Sequence, residues 1–115
     1  MRLISFALTT RQFRDGSKDV TRRLGWKKLK AGERLQAVRK AMGLKHGEHV
    51  EKLGVIEVVS VRRERLDAIN GVECIREGFE DLTPDEFVSM FCEHMGCKPS
   101  RKVTRIEFRK VMEGQ

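Results

Sequence analysis

Gly16-Ser17-Lys18-Asp19-Val20-Thr21-Arg22-Arg23 is the stretch on which the reading of this chain turns. It sets a lysine, a hydroxyl and two arginines close together just after a glycine. If Val20 to Arg22 is extended, alternation points Lys18 and Arg22 roughly one way and Thr21 and Arg23 the other. A turn at Gly16 releases Lys18 from strict alternation, because glycine reaches backbone angles closed to other residues. The stretch then reads as the wall of a small cationic pocket that holds one hydroxyl.

Upstream, Leu3 to Leu8 (LISFAL) is short and apolar, with a β-branched residue and Phe6, and predicts a buried strand. Thr9 or Thr10 supplies the cap of a brief helix, Arg11 to Asp15, which Gly16 ends. Downstream, Val20 to Arg23 reads as a short strand and residues 25–32 as a loop. Glu33 to Lys40 is taken as a strand on its period-two pattern, although its residue types also suit helix. Met42 to Glu48, with two glycines, reads as a loop, and Leu53 to Val61 as the strongest strand. Arg63 to Ile69 reads as a short helix leading to a turn at Asn70-Gly71.

The clearest helix start is Leu82-Thr83-Pro84-Asp85-Glu86: Thr83 at the cap, Pro84 in the first turn, and Glu86 completing a capping box. Phe87, Val88, Met90 and Phe91 give it an apolar stripe, and Gly96 stops it. Val103 to Val111 closes the chain as an alternating strand. Four or five strands with two or three short helices predict an α+β fold, a small mixed β-barrel in one domain over residues 1–115.

The pattern G-x-K-x-x-T-x-R, carried here by Gly16, Lys18, Thr21 and Arg23, resembles the signature of the ASCH domains, a branch of the PUA-like β-barrels. An opening strand, a central strand, Glu77-Gly78 ahead of a capped helix and a terminal strand extend the resemblance over nearly the whole chain. It implies a PUA-like fold with a cleft lined by the motif and Glu77, and it implies RNA binding, with nuclease activity in some members. The usual motif has Glu where this chain has Thr21. A Thr there resembles the small amidohydrolases of the superfamily, which deacetylate N4-acetylcytidine. That resemblance implies Thr21 as nucleophile, Lys18 as its activator and Glu77 as acid and base. The chain departs from those enzymes at Arg22, where an apolar residue is usual, and in the loop after Arg23.

The chemistry is coherent on its own terms. A threonine hydroxyl is a weak nucleophile, and a desolvated lysine beside a second cation such as Arg23 loses its proton more readily. A carboxylate within reach then serves the leaving amine. Two plainer readings stand beside it: Lys18 and Glu77 as an ion pair bracing the fold, or a binding pocket without chemistry. Arg22, Arg23, Trp26, Lys27, Lys28 and Lys30 form a second group, an aromatic ring among cations, as a stacking platform with a phosphate track requires. Trp26 equally suits the core.

With 115 residues the chain is long enough for a modest core without disulfides. No apolar run approaches the ~20 residues that span a bilayer, and the N-terminus does not read as a secretory signal. Three cysteines cannot complete a disulfide framework, which suits reduced thiols and a cytoplasmic location. Cys74, Cys92, His94 and Cys97 pose the question of a zinc site, but Cys92 and His94 lie two apart at a helix end and face differently. Neither a metal nor a cofactor is expected.

Net charge is +7, and it is segregated. Residues 1–65 carry 17 basic and 7 acidic side chains, whereas residues 66–93 carry one basic and eight acidic. Arg62, Arg63 and Arg65, with Arg101, Lys102, Arg105, Arg109 and Lys110, read as solvated surface. The expected partners are RNA or a cytidine-type nucleoside, with no membrane. A non-enzymatic adaptor that binds a basic protein through residues 66–93 is the alternative.

Overall fold

A computed structural model describes residues 1–41 and 44–112. Its strands are β1 (Leu3–Ser5), β2 (Val20–Arg23), β3 (Arg34–Val38), β4 (Lys52–Arg65) and β5 (Lys102–Lys110). Its helices are α1 (Thr10–Asp15), α2 (Gly71–Arg76) and α3 (Pro84–Met95), with 3-10 turns at Ala7–Thr9 and Leu66–Ala68. One mixed sheet runs in the order β1-β3-β4-β5-β2, with β1 parallel to β3 and the other pairs antiparallel. The α+β class is as expected.

The expected barrel is not closed. β1 and β2 are the two outer strands, and no ladder joins them among the described residues. Both are too short to zip together, because the chain leaves β1 at Phe6 to enter a 3-10 turn. The gap is crossed by a side chain instead: Arg23 Nη2 on β2 donates to the Ser5 carbonyl on β1 at 2.6 Å.

Two apolar clusters fill the molecule. Ile4, Phe6, Phe13, Leu35, Ile56, Ile106 and Phe108 form the first. The rings of Phe6, Phe13 and Phe108 there lie 5.1 to 6.0 Å apart, within the range of favourable ring pairs. Leu66, Ile69, Cys74, Phe87, Phe91 and Val103 form the second, where α2 and α3 meet the sheet.

Most differences from expectation have tertiary causes. The strand expected over Leu3 to Leu8 stops at Ser5. β4 runs on to Arg65 because Arg62, Arg63, Glu64 and Arg65 pair in register with Arg105, Thr104, Val103 and Lys102. The helix expected at Arg63 to Ile69 shrinks to the turn Leu66–Ala68. Asn70-Gly71 is not a free turn: Asn70 caps α2, its side-chain oxygen accepting from Glu73 N at 2.9 Å.

α3 is as the sequence predicts. Glu86 N donates to Thr83 Oγ1, Thr83 N donates to Glu86 Oε1, and Gly96 ends the helix at φ 65°. Met42 and Gly43 of the expected loop lie outside the described residues.

Candidate functional site

The segment between α1 and β2 is pinned at both ends. Gly16 leaves α1 at φ 83°, Lys18 N donates to the Gln12 carbonyl, and Asp19 N donates to the Arg76 carbonyl. This turns the Lys18 side chain inward to 4% exposure. Its Nζ donates to the Val20 carbonyl at 2.9 Å, the Glu77 carbonyl at 2.6 Å and Glu77 Oε1 at 3.1 Å. An ammonium has three protons, and all three have acceptors. Burial lowers the Lys18 pKa; Glu77 pulls it back up, while Arg23 and Arg22 push it further down.

Glu77 follows α2 directly and receives a second cation on its other oxygen, from Arg22 Nη1 at 3.1 Å. The Arg22 side chain is wholly buried and also reaches Glu73 at 2.7 Å and Glu64 at 3.4 Å. Burial alone would lower the Arg22 pKa, but Glu77, Glu73 and Glu64 outweigh it and raise the group. Among the described residues, Arg22 Nε is the buried side-chain polar atom left without a partner. Arg105 grips Glu73 with Nε and Nη2. The Arg105 hydrogen bond, helped by Arg22 and opposed by burial, holds Glu73 down to about 2.

Thr21 and Arg23 belong to the other face of β2. Arg23 Nε donates to Thr21 Oγ1 at 3.0 Å, and the guanidinium lies 5.3 Å from the Phe6 ring, with Lys18 Nζ at 5.6 Å from the same ring. No carboxylate pairs with Arg23 among the described residues, and burial lowers its pKa against the pull of Glu77.

These groups line one end of a pocket of about 240 Å³. Lys18, Thr21, Arg22, Arg23 and Glu77 give the polar end; Phe6, Phe79, Phe87, Met90 and Phe91 give apolar walls. Leu8, His94 and Met95, all exposed, also line it. The ammonium, the hydroxyl and the carboxylate singled out in the sequence therefore share one hollow, although the carboxylate comes from a segment more than fifty residues away.

The Trp26 loop is not part of it. Trp26, at φ 61°, packs half-buried on the first cluster with the Arg2 guanidinium 4.9 Å from its ring. Buried Leu29 anchors the loop, and Lys27, Lys28 and Lys30 are exposed. The four residues of the zinc question divide differently: Cys74 is buried within the second cluster, Cys92 and Cys97 pack on it from outside, and His94 lines the pocket. Among the described residues no group of three or more His, Cys, Asp or Glu is arranged to hold a metal.

Sequence reasoning missed Arg105 and Glu73. Arg105 was expected on the surface and is 4% exposed. Its signal was faint: it shares its strand face with buried Val103, and it stands opposite Arg22 in the β2–β5 register. The aromatic walls from α3 were legible as a core stripe, not as pocket lining.

No protein-family model matches the chain, and no curated protein matches it. Solved structures do. A protein of Enterococcus faecalis described as family-model DUF984 superposes with a TM-score of 0.66 at 14% identity, covering 96% of this chain and 79% of that one. The ASCH domain from Lactobacillus crispatus superposes with a TM-score of 0.57 at 14% identity, covering 95% and 78%. At such identity the likeness speaks for architecture alone, and the architecture of this chain is similar to that of the ASCH domain.

Proposed function

We propose that the chain binds a nucleobase, as a free or modified cytidine-type nucleoside or within RNA, in the Lys18–Thr21–Arg23–Glu77 pocket. The observation that carries this reading is the mixed lining of the pocket, in which four phenylalanines share one hollow with fixed donors and acceptors. A ring packs on the apolar side chains while its polar edge meets the donors and acceptors. Arg23 offers a donor with no carboxylate competing for it, and the Glu77 carboxylate has lone pairs beyond the two in use. A cytosine edge, with an amino donor beside the ring N3 and carbonyl O2 acceptors, is the complement of that pair. The hollow is slightly smaller than the ~300 Å³ at which drug-sized sites begin, which suits one base rather than a dinucleotide.

Binding is favoured over hydrolysis by the state of Lys18. Its three protons are given to three acceptors, and Thr21 Oγ1 already accepts from Arg23. For Thr21 to attack an acyl carbon, Lys18 must first give up a proton and leave one acceptor. The lowered Lys18 pKa favours that step, which keeps amide hydrolysis of an N4-acylated cytosine as the second reading.

Calorimetric titration with cytidine and N4-acetylcytidine tests both. Saturable binding, weakened about tenfold or more in Arg23→Met and in Phe87→Ala, is expected. The absence of heat with either nucleoside and with a single-stranded RNA, or affinities indifferent to Arg23, would end the binding reading. Acetate release abolished by Thr21→Val would promote the second.

A further inference from the structure

The last turn of α3 brings Cys92 and Cys97 to a sulfur–sulfur distance of 4.0 Å, with both side chains partly exposed. This approach is written into the backbone. Gly96 takes the left-handed conformation and its N donates to the Cys92 carbonyl at 2.8 Å, while Cys97 N donates to the same carbonyl at 3.3 Å. A helix that ends this way folds the residue after the glycine back onto the residue five before it, and the two side chains touch. In most proteins that contact is made by two apolar side chains. Here it is made by two thiols, and the sequence Cys92-Glu93-His94-Met95-Gly96-Cys97 sets their spacing.

We propose that Cys92 and Cys97 are a reversible modification site, an intramolecular disulfide that closes across the cap of α3. Cys74 takes no part, since it is buried in the second cluster. The oxidant is a low-molecular-weight disulfide such as oxidised glutathione. One protein thiolate attacks it and forms a mixed disulfide, releasing one thiol. The second protein thiolate attacks the protein-bound sulfur of that mixed disulfide and releases the other. Two protein S–H bonds are lost, one S–S bond is gained, and the oxidant leaves as two thiols. The sulfurs must close from 4.0 Å to about 2.05 Å, a movement within reach of side-chain rotation. Burial raises the Cys92 pKa, with Cys97 adding to the effect, so the pair reacts faster at alkaline pH. The bridge encloses His94 and Met95, two residues of the pocket lining.

The test equilibrates the whole chain with mixtures of oxidised and reduced glutathione, quenches by alkylation and maps the cysteines by mass spectrometry. Trypsin leaves Cys92 and Cys97 in one peptide and Cys74 in another. The expected result is a Cys92–Cys97 peptide lighter by two hydrogen atoms than its reduced form, with Cys74 still alkylated. Gly96→Ala, which disfavours the left-handed cap, should shift the balance toward the dithiol. Two thiols that alkylate fully at the most oxidising mixture, or that carry separate glutathione adducts, would overturn the proposal. A balance unchanged by Gly96→Ala would overturn the cap as its cause.

Discussion

Glu77 is held by two buried cations, and each of its oxygens has its own: Lys18 on one and Arg22 on the other. Glu77→Gln would leave both buried cations short of a counter-charge. Breaking one side of such a pair costs about 3–5 kcal/mol, so urea unfolding should show a loss of that order. Glu73 supplies a pH signature. Its pKa falls from an ordinary 4.5 to about 2 in the folded protein. A depressed carboxyl stabilises the fold above its unfolded value, and that contribution disappears as pH falls from 4.5 towards 2. By linkage it is worth about 3 kcal/mol. The unfolding free energy should therefore drop through that window, and Glu73→Gln should flatten the drop. Lys18, Thr21, Arg23 and Glu77 were legible as a site because a short motif and its distant carboxylate could be read together. Arg22 was read with a phosphate track and Arg105 with the surface, because a buried arginine looks like a surface one until its partner is known.

At the scale of elements, local signals were read well and non-local ones poorly. α3 announces itself within five residues, through a cap, a proline and a reciprocal glutamate. The end of β4 is fixed by pairing with β5, some forty residues on, and nothing inside Arg62–Arg65 declares it. α2 is short and was hidden behind an Asn-Gly that also suits a turn. The α1–α2 junction carries a prediction of its own. Gly78 sits at φ 93°, and a Cβ there would lie 3.0 Å from Gln12 Cβ and 3.2 Å from Thr9 Cγ2. Gly78→Ala should thus suffer twice, from backbone strain and from contact with α1, with a cost of about 1–3 kcal/mol. Because Glu77 is its neighbour, thermal melting and nucleoside binding should fall together. A variant that melts like the parent would show that α1 yields easily.

For the molecule as a whole, the charge segregation has a partly internal meaning. The acidic stretch 66–93 sends Glu73 and Glu77 inward, where Lys18, Arg22 and Arg105 from the basic segments meet them. Several surface arginines are also engaged: Arg14 with Glu51, Arg65 with Asp67 and Arg109 with Glu57. Lys27, Lys28 and Lys30 are exposed, and among the described residues no salt bridge involves their side chains. Replacing all three by glutamine should leave stability within about 0.5 kcal/mol. If RNA is the ligand, the same change should weaken single-strand binding and reduce its dependence on salt. An unchanged salt slope would move the phosphate contacts elsewhere.

The fastening between β1 and β2 has a consequence for occupancy. A paired edge would resist opening with a row of backbone hydrogen bonds, whereas here the Arg23 guanidinium acts as a clasp. That guanidinium is also a wall of the hollow beside it. A guest that draws Nη2 away from Ser5 would unlatch the rim, whereas one served by the remaining N–H groups would leave it fastened.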